Sequence, residues 1–126
     1  MNDKLKETAS ALVAHCRNHT EAEGLITLYA KDAVSVEAAL MPGSESRENV
    51  GVDSIKGKHD WWNSAYEQLA GTVSDPMFHG DDRFSVIFEM TARNRQSGET
   101  SEMKEVGIYT INESGKIVRE EFFYSF

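Results

Sequence analysis

An α+β fold, helices first and an antiparallel sheet after them, is what the order of periodicities along this chain predicts. Apolar residues in the first half step by three and four, as one face of a helix requires, and in the second half they alternate with polar residues between short polar turns. Helices followed by strands, without alternation, give an antiparallel sheet covered by helices on one face. At 126 residues the chain holds one core, so residues 1–126 read as a single domain.

The first helix carries Leu5, Ala9, Leu12, Val13 and Cys16 on one face and runs to about residue 18. Thr20 and Glu23 have capping-box spacing ahead of Leu25, Ile26, Leu28 and Tyr29, a second helix ending near Ala30. Ala33 to Ala38 alternates as a strand, with Val34 and Val36 on one face and Ser35 and Glu37 on the other. Met41 to Val52 has the composition of a loop. Asp53 or Ser54 caps a third helix whose stripe is Ile55, His59, Trp62, Tyr66 and Leu69, stopped by Gly71. Strands follow near Val73 to Phe78, from Arg83 to Arg93, from Thr100 to Ile111 and from Lys116 to Phe126. Both faces of the last strand are apolar at its end, with Ile117 and Phe123 on one side and Val118, Phe122, Tyr124 and Phe126 on the other. Helices cover only one face, which predicts a homodimer through the sheet.

Composition excludes several functions. Lys and Arg number 13 against 21 Asp and Glu, a net charge of −8, so neither nucleic acid nor an anionic membrane surface is an expected partner. One cysteine, on the apolar face of the first helix, rules out an internal disulfide framework and a cysteine-rich zinc site, and reads as an inert buried thiol. His79-Gly80-Asp81-Asp82 reads as a turn, and no metal is expected. No phosphate-binding glycine loop or nucleophile elbow is present, and no cofactor is expected. The opening MNDKLKETAS is charged where a signal peptide needs an apolar run, so a cytoplasmic location is expected.

Three stretches carry a family resemblance that covers almost the whole chain: Leu25 to Val34, Gly51 to Gly57, and the terminal hairpin Asn112 to Phe123. Their order and spacing resemble the nuclear transport factor 2-like superfamily, in particular its SnoaL-like and ketosteroid-isomerase-like branch. The resemblance implies a cone-shaped curved sheet wrapped around three helices (the cystatin-like roll), with an apolar pocket inside for a hydrophobic small molecule. Read without a gap from Asp32, it puts Glu37 where ketosteroid isomerases have their general-base aspartate. It also puts Val13 and Gly107 where those enzymes have oxyanion donors. Losing even one such donor is worth ~3 kcal/mol of barrier, which disfavours steroid isomerisation by that route.

Glu37 is therefore the candidate base, a carboxylate whose proton affinity an apolar cone would raise; the alternative is a solvated strand face. His59, inside the third helix's stripe, is its candidate partner, or else a satisfied core histidine. Glu105 shares a strand phase with Met103, Gly107 and Tyr109, which the resemblance turns inward, so Glu105 and Tyr109 are candidate ligand contacts. An Arg119–Glu121–Glu105 charge network on the sheet is the competing reading. Trp62, Tyr66, Phe88 and Phe123 complete the expected ligand contacts. Two functions stay open: a cofactor-free isomerase, cyclase or dehydratase, and a non-catalytic binding or dimerisation module.

Overall fold

Leu5, Ala9, Leu12 and Val13 are buried on one face of α1 (Asp3–Arg17), as their spacing requires, and the Asn2 side chain caps the helix by accepting from the Lys4 amide at 2.9 Å. The computed structural model describes residues 2–40 and 42–125. In chain order α1 is followed by α2 (Glu21–Leu28), β1 (Tyr29–Val36), β2 (Glu48–Val50), α3 (Val52–Ala65), β3 (Tyr66–Val73), β4 (Met77–His79), β5 (Arg83–Asn94), β6 (Thr100–Ile111) and β7 (Ile117–Phe123). This is the α+β cone: three helices and a curved, unclosed seven-stranded sheet in the order β2-β1-β7-β6-β5-β3, with β4 also on β5.

The sheet is mixed rather than wholly antiparallel, because β1 pairs parallel with β7 while the other pairings are antiparallel. Helix and sheet meet in one core of Leu5, Leu12, Leu25, Ile55, Phe84, Val86, Tyr109 and Ile117. Burial also lifts the Cys16 thiol to about 12, the inert state expected of it.

Several boundaries differ from the sequence reading. Thr20 does not close a capping box: its hydroxyl meets His15 Nδ1 at 2.8 Å. The expected loop contains β2, and Gly51, not Asp53 or Ser54, precedes α3 with a φ of 91° that favours glycine. The third helix stops at Ala65, and Tyr66 and Leu69, expected on its stripe, lie in β3. Their backbone pairs with β5 from Tyr66↔Asn94 to Val73↔Phe88, so sheet pairing overrides a helical apolar spacing. The last strand ends at Phe123, and Phe126 lies outside the described residues.

A register shift in β7 between the partners Thr110 and Ile111 breaks its expected alternation. Ile117 and Glu120 are both buried despite their odd separation, and Phe123 is 50% exposed instead of sharing the face of Ile117. On the outer face Ile87, Val106 and Phe123 pair across β5, β6 and β7 in one row, with Met77 exposed beside it on β4. No helix among the described residues is long and apolar enough to cross a membrane.

Candidate functional site

Ser35 and Glu37 follow the alternation of β1, but the face they occupy is the inner one. Ser35 is fully buried, while Val34 and Val36 are only partly so. A polar inner face demands partners, and they come from α3 and β7. The Lys58 ammonium donates to Ser35 Oγ at 2.5 Å and to Glu37 Oε1 at 2.6 Å. The side chains of this ion pair are 10% and 12% exposed, respectively. Tyr124 donates its hydroxyl to Glu37 Oε2 at 3.0 Å, and Lys58 Nζ lies 4.8 Å from the Phe122 ring centroid.

Behind this pair sits Glu120, 1% exposed, its carboxyl hydrogen-bonded by the Tyr29 and Ser35 hydroxyls. Its Oε1 has no hydrogen-bond partner among the described residues. Burial pushes this carboxyl up, against the pull of Lys58 and the two hydroxyls. Glu105 also faces inward, across the β5–β6 pairing from Phe88. Burial first, then the Glu37 charge, raise Glu105 to about 7, with Lys58 pulling the other way. His59 moves oppositely: burial and then the neighbouring Lys58 charge lower it to about 4, so it is a neutral imidazole at pH 7. The interior thus combines a charged pair, a neutral histidine and a carboxyl that titrates near neutrality.

The predicted residues are only partly brought together. Glu37 bonds Lys58 and Tyr124, not His59, which has no hydrogen-bond partner among the described residues. Trp62 and Tyr66 stack at 4.4 Å between ring centroids, joining α3 to β3. Phe88 is half-buried against the core. Tyr109 is 2% exposed, stacked on Phe84 at 4.9 Å and edge-on to Phe122 at 6.2 Å. Phe123 stands on the outer face. Arg119 meets Glu121 at 2.9 Å and shares the outer face with it, so Glu105 on the inner face takes no part in that pair.

A cavity of about 410 Å³ opens at the sheet edge where β1 ends, lined by Glu37 and Phe122 together with Arg47, Glu48 and the outer-face Arg119 and Glu121. It reaches Glu37 and includes Phe123, but His59 is not part of its lining. Sequence reasoning missed Lys58 and Glu120. Lys58 had a signal: Ile55, Lys58, His59 and Trp62 are spaced as one helical face. Glu120 had none, because the irregularity in β7 sets its direction.

At Gly107 a Cβ would sit 3.0 Å from the Tyr109 ring and 3.2 Å from that of Phe122. Tyr109 fills the space a side chain would need there. Gly107→Ala is expected to cost about 1–3 kcal/mol of stability, read as a lower denaturant midpoint with an unchanged slope.

Comparison with known proteins comes to the same architecture. The sequence profile of the SnoaL-like domain family matches residues 15–124. A Mesorhizobium loti structure provisionally described as a SnoaL-like polyketide cyclase superposes with a TM-score of 0.85 at 29% identity, covering 94% of this chain and 97% of that one. A Mycobacterium tuberculosis protein in complex with estradiol-17beta-hemisuccinate superposes at 0.76 with 17% identity, covering 97% and 94%. TerC, co-crystallised with polyporic acid, superposes at 0.74 with 19% identity, covering 98% and 92%. No curated protein matches the chain. With its profile spanning most of the sequence and its fold shared with these structures, the chain belongs to the SnoaL-like domain family.

Proposed function

We propose that this protein binds an apolar small molecule bearing a carbonyl or enol group and catalyses a cofactor-free proton transfer on it, an isomerisation, cyclisation or dehydration, with Glu37 as general base. The observation that carries this reading is the Glu37 carboxylate, turned inward, fixed by Lys58 and Tyr124, and lining a cavity of about 410 Å³. Neutral His59 offers a proton-accepting nitrogen in the same interior, and Glu105 near neutrality can hold a proton in transit. Phe122 and Phe123 supply the cavity's apolar wall, while Phe88, Trp62, Tyr66 and Tyr109 lie outside its lining. The ligands held by the Mycobacterium tuberculosis protein and by TerC, a steroid ester and polyporic acid, fit the same ligand class.

The experiment is a thermal-shift screen of lipophilic ketones and enols, with each binder then assayed for turnover. Binders that are converted support the reading. Binders all recovered unchanged overturn the catalytic part and leave a binding module, the reading that the packing of Tyr109 and Phe122 around Gly107 favours.

We further infer a homodimer through the sheet, since the Ile87, Val106 and Phe123 row is an apolar outer face that a second copy covers. Light scattering is expected to give twice the 14.1 kDa chain mass, and Ile87→Lys is expected to give the chain mass. A wild-type monomer would contradict this.

A further inference from the structure

A base that removes a proton from carbon beside a carbonyl solves half of the problem. Charge develops on the carbonyl oxygen at the same moment, and the barrier falls only if a preorganised donor or cation meets it. Lys58 is not itself part of the cavity lining, but its ammonium is bonded to Glu37, which is. Its ammonium has three N–H groups, of which one goes to Glu37 and one to Ser35. Among the described residues nothing takes the third, which is left for a ligand oxygen. Two residues that flank the ammonium, Glu37 and Phe122, also line the cavity.

Resting on the proton-transfer reading above, we propose that Lys58 is the group that binds the developing oxyanion, so that the site selects ligands that ionise at oxygen, such as enols and phenols. The C–H bond beside the carbonyl breaks, and its proton goes to a Glu37 carboxylate oxygen. The bonding pair becomes the enolate C=C, and the carbonyl π pair moves to oxygen. Negative charge thus passes from Glu37 to the ligand oxygen while the number of charges around Lys58 stays constant. Before the transfer Lys58 is paired with Glu37, and after it with the enolate. Ser35 holds the ammonium in place through the change, because its hydrogen bond does not depend on the charge of Glu37. Glu120 behind Ser35 adds to that hold. The four-carbon stem lets the head group follow the charge over a short distance.

This assignment fixes the sign of an unusual effect. Glu37→Gln imitates the protonated base and leaves Lys58 without a counter-charge, so it should bind an oxyanion better than the wild type does. The probe is 2-naphthol, whose ionised form is seen by absorbance and imitates a planar enolate. Glu37→Gln is expected to bind the naphtholate about tenfold more tightly than wild type, since charge-assisted hydrogen bonds are the strong ones. Glu37→Gln/Lys58→Met, which carries neither charge of the pair and so escapes the folding cost of an unpaired one, is expected to lose that gain. Lys58→Arg in the Glu37→Gln background should restore part of it. No gain in Glu37→Gln, or a gain that survives loss of Lys58, overturns the assignment. The proton-transfer reading is judged separately by turnover in the wild type: its failure alongside the predicted naphtholate pattern removes the reaction and leaves Lys58 assigned as the anion-binding group.

Discussion

Glu37→Gln is expected to keep ligand binding and to lower turnover by about 10²- to 10⁴-fold, the usual contribution of a positioned general base. Glutamine has the shape of glutamate, and its amide oxygen can still accept from Lys58, which donates to Glu37 at 2.6 Å. What it lacks is a proton-accepting carboxylate. The ligand-induced rise in melting temperature should therefore persist while turnover falls, a split that general unfolding would not produce. Tyr124→Phe removes the 3.0 Å hydrogen bond to the other carboxylate oxygen and leaves the ion pair, so its effect should be smaller. Turnover equal to wild type in Glu37→Gln would take Glu37 out of the mechanism.

Glu105→Gln is expected to gain about 3 kcal/mol of stability relative to wild type between pH 4 and pH 8, from a shift of the Glu105 carboxyl from 4.5 to about 7. Between those values the native protein holds a proton that the unfolded chain has released, so stability falls as pH rises through the window. His59 works in the opposite sense. Its value drops from 6.5 to about 4, so the unfolded chain binds the extra proton and stability rises with pH across that window. In the wild type the two slopes largely offset each other between pH 4.5 and 6.5. Without the Glu105 charge the His59 slope should stand alone. Denaturant melts of both proteins across the range read the difference directly, and parallel curves would show that Glu105 titrates normally. Burial sets this behaviour first; the Glu37 charge adds to the rise, Lys58 opposes it, and Glu120 adds a smaller rise.

How much of this could be read from the sequence depends on which force decides each residue. Local spacing placed α1 and its buried Leu5, Ala9, Leu12 and Val13, because a helix face is a property of the chain itself. The full span of β6, Thr100–Ile111, was legible for the similar reason that polar turns bound an alternating run. Tyr66 and Leu69 were not, since their helical spacing yields to pairing with β5, a partner remote in sequence. On β1 the alternation was legible and the direction was not. Polar Ser35 and Glu37 are inside only because Lys58 and Glu120 meet them there, a fact of tertiary structure. Lys58 shows the cost of treating charge as solvated by default: it shares a helical face with Ile55, His59 and Trp62. Glu120 depends on a register shift that no residue pattern in β7 announces.

Catalysis of the proposed kind requires that the interior carboxylate Glu37 take a proton from carbon. A lipophilic ketone that binds the protein, incubated with it in deuterium oxide and followed by proton NMR, tests this without knowledge of the natural substrate. Wild-type protein is expected to abolish the signal from the hydrogen beside the carbonyl, and Glu37→Gln to cause no loss above the buffer rate at the same occupancy. Equal exchange with the two proteins, or none above buffer with either, would contradict it.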